Sequence, residues 1–255
     1  MVELKTRGEL EAMREAGRVV ARALTAVREH AEVGVTLKAL DEIAHSVIRD
    51  AGATSPFLNY RPHFAMTPFP AVICASVNDA ALHGIPDGYR LADGDLLSVD
   101  CGATLDGWTG DSAISFNVGH DRPADTRLIA ATSAALDAGI AAARPGNKLG
   151  DISAAIAGVG RAAGVGICGD FGGHGVGRTM HEDPHLPNEG RPGRGLRLSA
   201  GLVLAIEPWF LAGGKDEYVI DDDGWTIRSA DGSRAAHVEH TVAITEDGPW
   251  ILTQV

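Results

Sequence analysis

The sequence predicts an α/β (α+β) fold built as a pseudo-two-fold internal repeat, with an antiparallel sheet inside and helices outside. Three observations predict it. Helical and strand-like patterns alternate as two helices, a strand block, two helices and a second strand block. Blocks of the first half can be laid over blocks of the second. A long hairpin pattern in the first strand block carries aspartates in the middle of apolar strands, where they are disfavoured. The half-repeats run over about 8–118 and 123–250 of one domain spanning 1–255.

Taken in order, Leu10, Met13, Gly17, Val20, Leu24 and Val27 recur at three- and four-residue spacing and predict a helix over about 8–31. A second helix starts from Thr36 as N-cap, places Leu37, Leu40, Ala44, Val47 and Ala51 on one face, and stops at Gly52. From about 70 to 118 the pattern becomes strand-like, with "AVICASVN" followed by "LLSVDCGATLDGWTGDSAIS". Pro123 starts a third helix that ends before Pro145-Gly146, and a fourth covers about 149–163. Strands dominate from about 166 to the end.

The repeat is visible residue by residue. "GVTLKALDEIAHSVIRDAGA" lies over "GNKLGDISAAIAGVGRAAGV", setting Leu37 on Leu149 and Gly52 on Gly164. "LADGDLLSVD" lies over "LSAGLVLAIE", setting Asp100 on Glu207, and "TGDSAI" has a looser echo in "HVEHTVAI", setting Asp111 on Glu239. Two repeats are too few for a solenoid.

The hairpin allows two even registers. A turn centred between Leu105 and Asp106 sets Asp100 opposite Asp111; an Asp106-Gly107 turn sets Asp111 opposite Gly102. Either register puts both carboxylates on one face. With Glu207 and Glu239 contributed by the mirrored hairpin, four acids converge. Taken singly, each acid also reads as a solvated or capped residue. Together they repel, and divalent cations quiet that repulsion better than protonation alone. Four carboxylates and a nitrogen suit a pair of closely spaced metals. His174 in "FGGHGVGR" is the nitrogen candidate, since its glycines permit close backbone approach.

Two literal motif matches fail on context. "HEDPH" (181–185) fits H-E-x-x-H, but Pro184 and Pro187 exclude the helix that motif needs. "GVGICG" (164–169) fits G-x-G-x-x-G, but follows a helix and opens none.

Composition bounds the rest. A net charge of −12 with no basic block argues against nucleic-acid specificity. Cys74, Cys101 and Cys168 are an odd set without close spacing, which reads as buried thiols in a reducing compartment. The charged start lacks a signal-peptide core, and no apolar run reaches the ~20 residues that cross a bilayer, so the expectation is a cytoplasmic protein without a membrane partner.

"HGIP" (83–86), "SVDCGATLDGWTGDSAI", "GGHGVGRTMHEDP", "VLAIEPW" and "VEHTVAI" together resemble the type I methionine aminopeptidases of bacteria, from the first helix to the last strand. The resemblance implies the pita-bread peptidase fold and a single catalytic domain that removes N-terminal methionine from nascent polypeptides, preferring a small second residue. It implies two divalent metal ions, Mn²⁺, Fe²⁺, Co²⁺ or Zn²⁺, held by Asp100, Asp111, His174, Glu207 and Glu239. Asp111 and Glu239 would bridge, Asp100 would serve one metal, and His174 and Glu207 the other. A metal-held water would attack the scissile carbonyl, with Glu207 as proton acceptor. His181 would bond the substrate carbonyl, and His83 the peptide nitrogen on the leaving side. Phe57, Tyr60, Phe69, Cys74, Met180 and Trp225 fall at or near the methionine pocket. The chain departs from the short bacterial pattern in a longer stretch between Tyr60 and Phe69, which reshapes one pocket wall. It shows neither a zinc-finger extension nor a Pro-rich linker before the first helix. The resemblance also suggests a monomer, and the task suggests docking at the ribosome.

Three other readings share the chemistry. A prolidase or Xaa-Pro aminopeptidase of the same fold commonly carries an N-terminal domain for which this chain has no room. A non-catalytic binding module of this fold typically loses metal ligands, and all five are here. A creatinase-like hydrolase is the third.

Overall fold

The computed structural model describes residues 2–62 and 65–255. The elements run in the order α1 (Arg7–His30), α2 (Leu37–Asp50), β1 (Ile73–Val77), β2 (Ala80–Leu82), β3 (Leu96–Leu105), β4 (Trp108–Asn117), α3 (Pro123–Ala142), α4 (Leu149–Ala163), β5 (Gly172–Gly175), β6 (Glu182–Pro187) and β7 (Val203–Ile206). They continue with β8 (Trp209–Leu211), β9 (Tyr218–Ile220), β10 (Ile227–Ser229), β11 (Ala235–His237), β12 (Glu239–Thr245) and β13 (Gly248–Ile251).

The helix ends follow local chemistry. Thr6 and Glu9 form a reciprocal capping box that opens α1. Thr36 caps α2, Pro123 occupies the first turn of α3, and Gly164 closes α4 in the left-handed conformation at φ 72°. The four helices lie within one to three residues of their expected bounds. Among the described residues, no helix is long and apolar enough to cross a membrane.

The main sheet runs β1-β3-β4-β12-β7-β5-β6, with β13 also paired to β12, and every pairing is antiparallel. Two small sheets, β2-β10-β9 and β8-β11, accompany it. Two hydrophobic cores correspond to the two halves. One gathers Val20, Leu24, Leu40 and Ile48 of α1 and α2 against Leu97, Val99 and Cys101 of β3. The other gathers Leu136, Ile140, Ile152 and Ile156 of α3 and α4 against Leu204 and Ile206 of β7 and Val242 and Ile244 of β12. The helices therefore cover one face of the sheet in both halves, which leaves the opposite face for the site. Where α1 crosses β4, Gly17 meets Gly110 backbone to backbone: a Cβ on Gly110 would stand 2.9 Å from Gly17.

Candidate metal centre

Strand alternation decides where the acids point. Leu97, Val99, Cys101 and Ala103 turn toward the helices, so Asp100 between them turns the other way. The turn joining β3 and β4 uses Asp106 at φ 51° and Gly107 at φ 77°, both in the left-handed region that a tight two-residue hairpin requires. Leu105 therefore pairs Trp108, and Gly102 pairs Asp111. This is the second of the two registers, with Asp111 diagonal to Asp100 on the same face. Asp111 is locked to β12 at both backbone ends: its N–H donates to Thr241 Oγ1 at 2.9 Å, and that hydroxyl donates to its carbonyl at 2.8 Å.

Glu207 follows β7 directly and Glu239 opens β12. The last ladder pair between these strands is His240 with Ile206, so Glu239 and Glu207 come next, opposite each other. In β3–β4 the residue opposite Asp100 is Ala113. The two acid pairs thus differ by two residues in register. The second pair also does not sit on a hairpin, because β8–β11 intervene in the chain between the glutamates. Asn188 Nδ2 donates to the Glu207 carbonyl at 3.0 Å and fixes that turn of backbone.

His174 sits on β5 between β6 and β7. A Cβ on Gly173 would collide with the Ala205 carbonyl, and one on Gly175 with the Asp183 carbonyl, so the glycines are needed for the neighbouring strands to close around the imidazole. His174 Nδ1 lies 2.9 Å from the Gly175 carbonyl. A carbonyl only accepts, so Nδ1 carries a proton, and Nε2 is aimed at Glu207 Oε1, 3.5 Å away.

The result is a buried, oxygen-rich cluster. Asp111, Glu239 and His174 are all below a tenth exposed. Donor atoms of Asp111, His174 and Glu239 lie within 4.8 Å of one another, and so do those of Glu207, His237 and Glu239. Asp100 Oδ1, Asp111 Oδ1, Glu239 Oε1 and His237 Nε2 are buried without a hydrogen-bond partner among the described residues. Burial first, then the neighbouring carboxylates, pushes Asp100 and Glu239 well above the usual carboxyl range; burial and Glu207 raise Asp111 to about 8. Burial pushes Glu207 up too, but the facing imidazoles of His237, His174 and His181 outweigh it and hold the group down at about 2. Orphaned carboxylate oxygens beside imidazole nitrogens are the donor chemistry that a divalent cation takes, so the residues fit a metal.

The remaining expected residues gather beside this cluster. His181 packs against His174 with ring centroids 4.2 Å apart and stacks on Tyr60 at 5.3 Å. His83, at φ 56°, sets its ring edge-on to Trp225 and to Phe171. Burial depresses His83 to about 4, and surrounding protein together with His174 depresses His181 to about 3 even though its ring keeps solvent access, so both imidazoles are neutral at pH 7. Phe57, Phe69, Cys74, Met180 and Trp225 form one apolar cluster with Ala65 and Ala71, flanked by Tyr60 and Ile85. Cys74 pairs Asp100 across β1–β3, joining that cluster to the acids. Gly102 makes room for Phe57, whose ring a Cβ there would meet at 2.8 Å. The longer stretch closes at its base, with Phe69 N–H on the Tyr60 carbonyl and Asn59 N–H on the Phe69 carbonyl, both at 2.8 Å. Phe57 and Phe69 lie within the apolar cluster and Tyr60 packs against it; His63 and Phe64 in the longer stretch lie outside the described residues. "HEDPH" forms strand β6, and "GVGICG" follows α4, so neither rejected motif regains its context.

One residue of the cluster escaped the sequence reading. His237, 2% exposed, points Nε2 at Glu207 Oε2 (3.6 Å) and Glu239 Oε2 (3.9 Å). Its signal was the i, i+2 spacing to Glu239, which in extended chain puts both residues on one side, here across the junction of β11 and β12.

A curled antiparallel sheet under four helices, with carboxylates converging on its inner face, defines a metallopeptidase. A model of metallopeptidase family M24 matches residues 11–246, and the chain belongs to that family of metallo-hydrolases. "Methionine aminopeptidase 1" of Mycobacterium tuberculosis is 55% identical over 99% of this chain and 95% of its own. The crystal structure of methionine aminopeptidase from Thermotoga maritima superposes with a TM-score of 0.95 at 38% identity, covering 100% of both chains. The pita-bread fold and the resemblance to bacterial methionine aminopeptidases are borne out. Prolidase from Pyrococcus furiosus, at 22% identity and a TM-score of 0.77 over 65% of its length, shares the fold.

Proposed function

We propose that the chain removes N-terminal methionine from nascent polypeptides in the cytoplasm, as a monomer working near the ribosome, with a preference for a small second residue. The observation that carries this reading is the adjacency of two features: orphaned buried carboxylate oxygens at Asp100, Asp111 and Glu239, and an apolar cluster reached through His83 and His181.

Asp100, Asp111, His174, Glu207 and Glu239 would hold two divalent cations, Mn²⁺, Fe²⁺, Co²⁺ or Zn²⁺. Bound there, the cations would supply an activated water and polarise the scissile carbonyl. Glu239 belongs to both close donor sets and Asp111 to one, and both carboxylates would be held against the cations. Glu207 is ionised at neutral pH and accepts a proton. His181, neutral and at the mouth, donates to the carbonyl oxygen, where negative charge develops. His83 contacts the nitrogen on the leaving side. Phe57, Tyr60, Phe69, Cys74, Met180 and Trp225 surround an unbranched thioether, with sulfur against aromatic edges.

The test is amino-acid release from Met-Ala-Ser, Leu-Ala-Ser, Met-Leu-Ser and Ala-Pro-Ser by chelator-stripped protein, reconstituted in turn with Mn²⁺, Co²⁺, Fe²⁺ and Zn²⁺. Metal-dependent cleavage of Met-Ala-Ser alone is expected. Cleavage of Ala-Pro-Ser alone would replace the substrate with a prolidase-like one, and silence with every metal would leave a binding module.

A further inference from the structure

We propose that His237 is a sixth protein ligand of this centre, giving Glu207 and Glu239 a second imidazole nitrogen. The inference rests on the metal-centre reading above and adds to it a residue outside the five implied ligands. His237 is 2% exposed, and its Nε2 is buried without a hydrogen-bond partner among the described residues. Its neighbours are carboxylate oxygens, Glu207 Oε2 at 3.6 Å and Glu239 Oε2 at 3.9 Å. Both distances are too long for a hydrogen bond. They are close to the ~3.4 Å that separates ligands around a tetrahedral divalent metal with bonds of ~2.1 Å. His174 stands toward Glu207 in the same way, Nε2 to Oε1 at 3.5 Å.

The two close donor sets make the parallel complete. Asp111–His174–Glu239 and Glu207–His237–Glu239 each hold two carboxylates and one imidazole, and share Glu239. His237 is also anchored as a ligand needs to be. Its N–H donates to Ser115 Oγ at 3.0 Å and its carbonyl accepts from the same hydroxyl at 2.7 Å, while β11 pairs it with Trp209. The backbone that carries the imidazole is thus fixed to the sheet on both its N–H and its carbonyl side. A second nitrogen strengthens the preference of the centre for Fe²⁺, Co²⁺ and Zn²⁺ over Mg²⁺ or Mn²⁺.

The experiment loads the full chain with a spin-half cadmium isotope and reads scalar coupling from the metal to histidine ring protons, a readout independent of turnover. Two coupled imidazoles are expected. One is lost in His237→Gln, while both persist in His181→Gln, and calorimetry with Cd²⁺ shows at least the ~10-fold loss of affinity in His237→Gln that removing even an outer partner causes. A single coupled imidazole in the wild-type protein overturns the proposal without any variant, as do two that both survive His237→Gln. Coupling to no imidazole would remove the metal-centre reading itself.

Discussion

Asp111 shows what burial among like charges does to a carboxylate in this interior. Burial and the Glu207 charge drive its carboxyl to about 8, so at neutral pH the metal-free group holds its proton, whereas Glu207 beside it is held ionised by its imidazoles. The two acids therefore fail differently when altered. Glu207→Gln keeps the shape and removes the proton acceptor, so kcat should fall by ~100- to ~10,000-fold with Tm almost unchanged. Near-normal turnover of Met-Ala-Ser would remove Glu207 from that role. On the proposed reading Asp111→Asn removes a metal-ligating oxygen, and calorimetric titration should show metal affinity lost along with turnover; full affinity would refute that role. Five of these side chains were legible in the sequence because a carboxylate inside a strand, or an imidazole among glycines, contradicts its local setting. His237 was not, because "AAHVEH" reads as an ordinary polar step in a strand, and its meaning depends on Glu207 arriving from another one.

At the level of elements, the helices were legible because a buried stripe repeats every three to four residues and the caps are local. The β3–β4 turn was legible as two candidates, and left-handed Asp106 and Gly107 select one. The short strands β8–β11 and the two-residue offset between the acid pairs were not, since three-residue strands carry no period and register depends on distant partners. The glycines test the same distinction. Gly175→Ala would drive a methyl into the Asp183 carbonyl beside His174, where backbone cannot yield cheaply. It should cost ~1–3 kcal/mol of stability and weaken metal binding, measured by thermal melting and calorimetry. Gly158→Ala, in the middle of α4 with open space around it, should instead stabilise by about 0.5–1 kcal/mol. The reverse order would mean that close approach of β6 does not constrain β5.

The whole molecule sets two helix-covered cores behind one sheet face, and the acids converge on the opposite face. Its stability should therefore depend on what neutralises the acids. A carboxyl whose folded pKa is raised keeps its proton in the native chain where the unfolded chain has already released it. The associated stability is complete below the unfolded pKa, near 3.8, and is lost as pH rises through the folded one, about 8 for Asp111. Asp100 and Glu239 are shifted in the same direction. His83 and His181, depressed by their surroundings, act the opposite way, raising stability with pH, but only up to their ordinary value of 6.5. Between pH 6.5 and 8 the carboxyls act alone. Chelator-treated protein should lose on the order of 2 kcal/mol across that interval from Asp111 alone. Bound divalent cations replace the protons, so the metal-loaded protein should hold its Tm over the same interval. Asp111→Asn, with no proton to release there, should flatten the metal-free slope. Thermal melts at pH 6.5 and 8, with and without Mn²⁺, read all three, and a metal-free Tm that rises with pH would show that these acids are not held protonated in the folded chain.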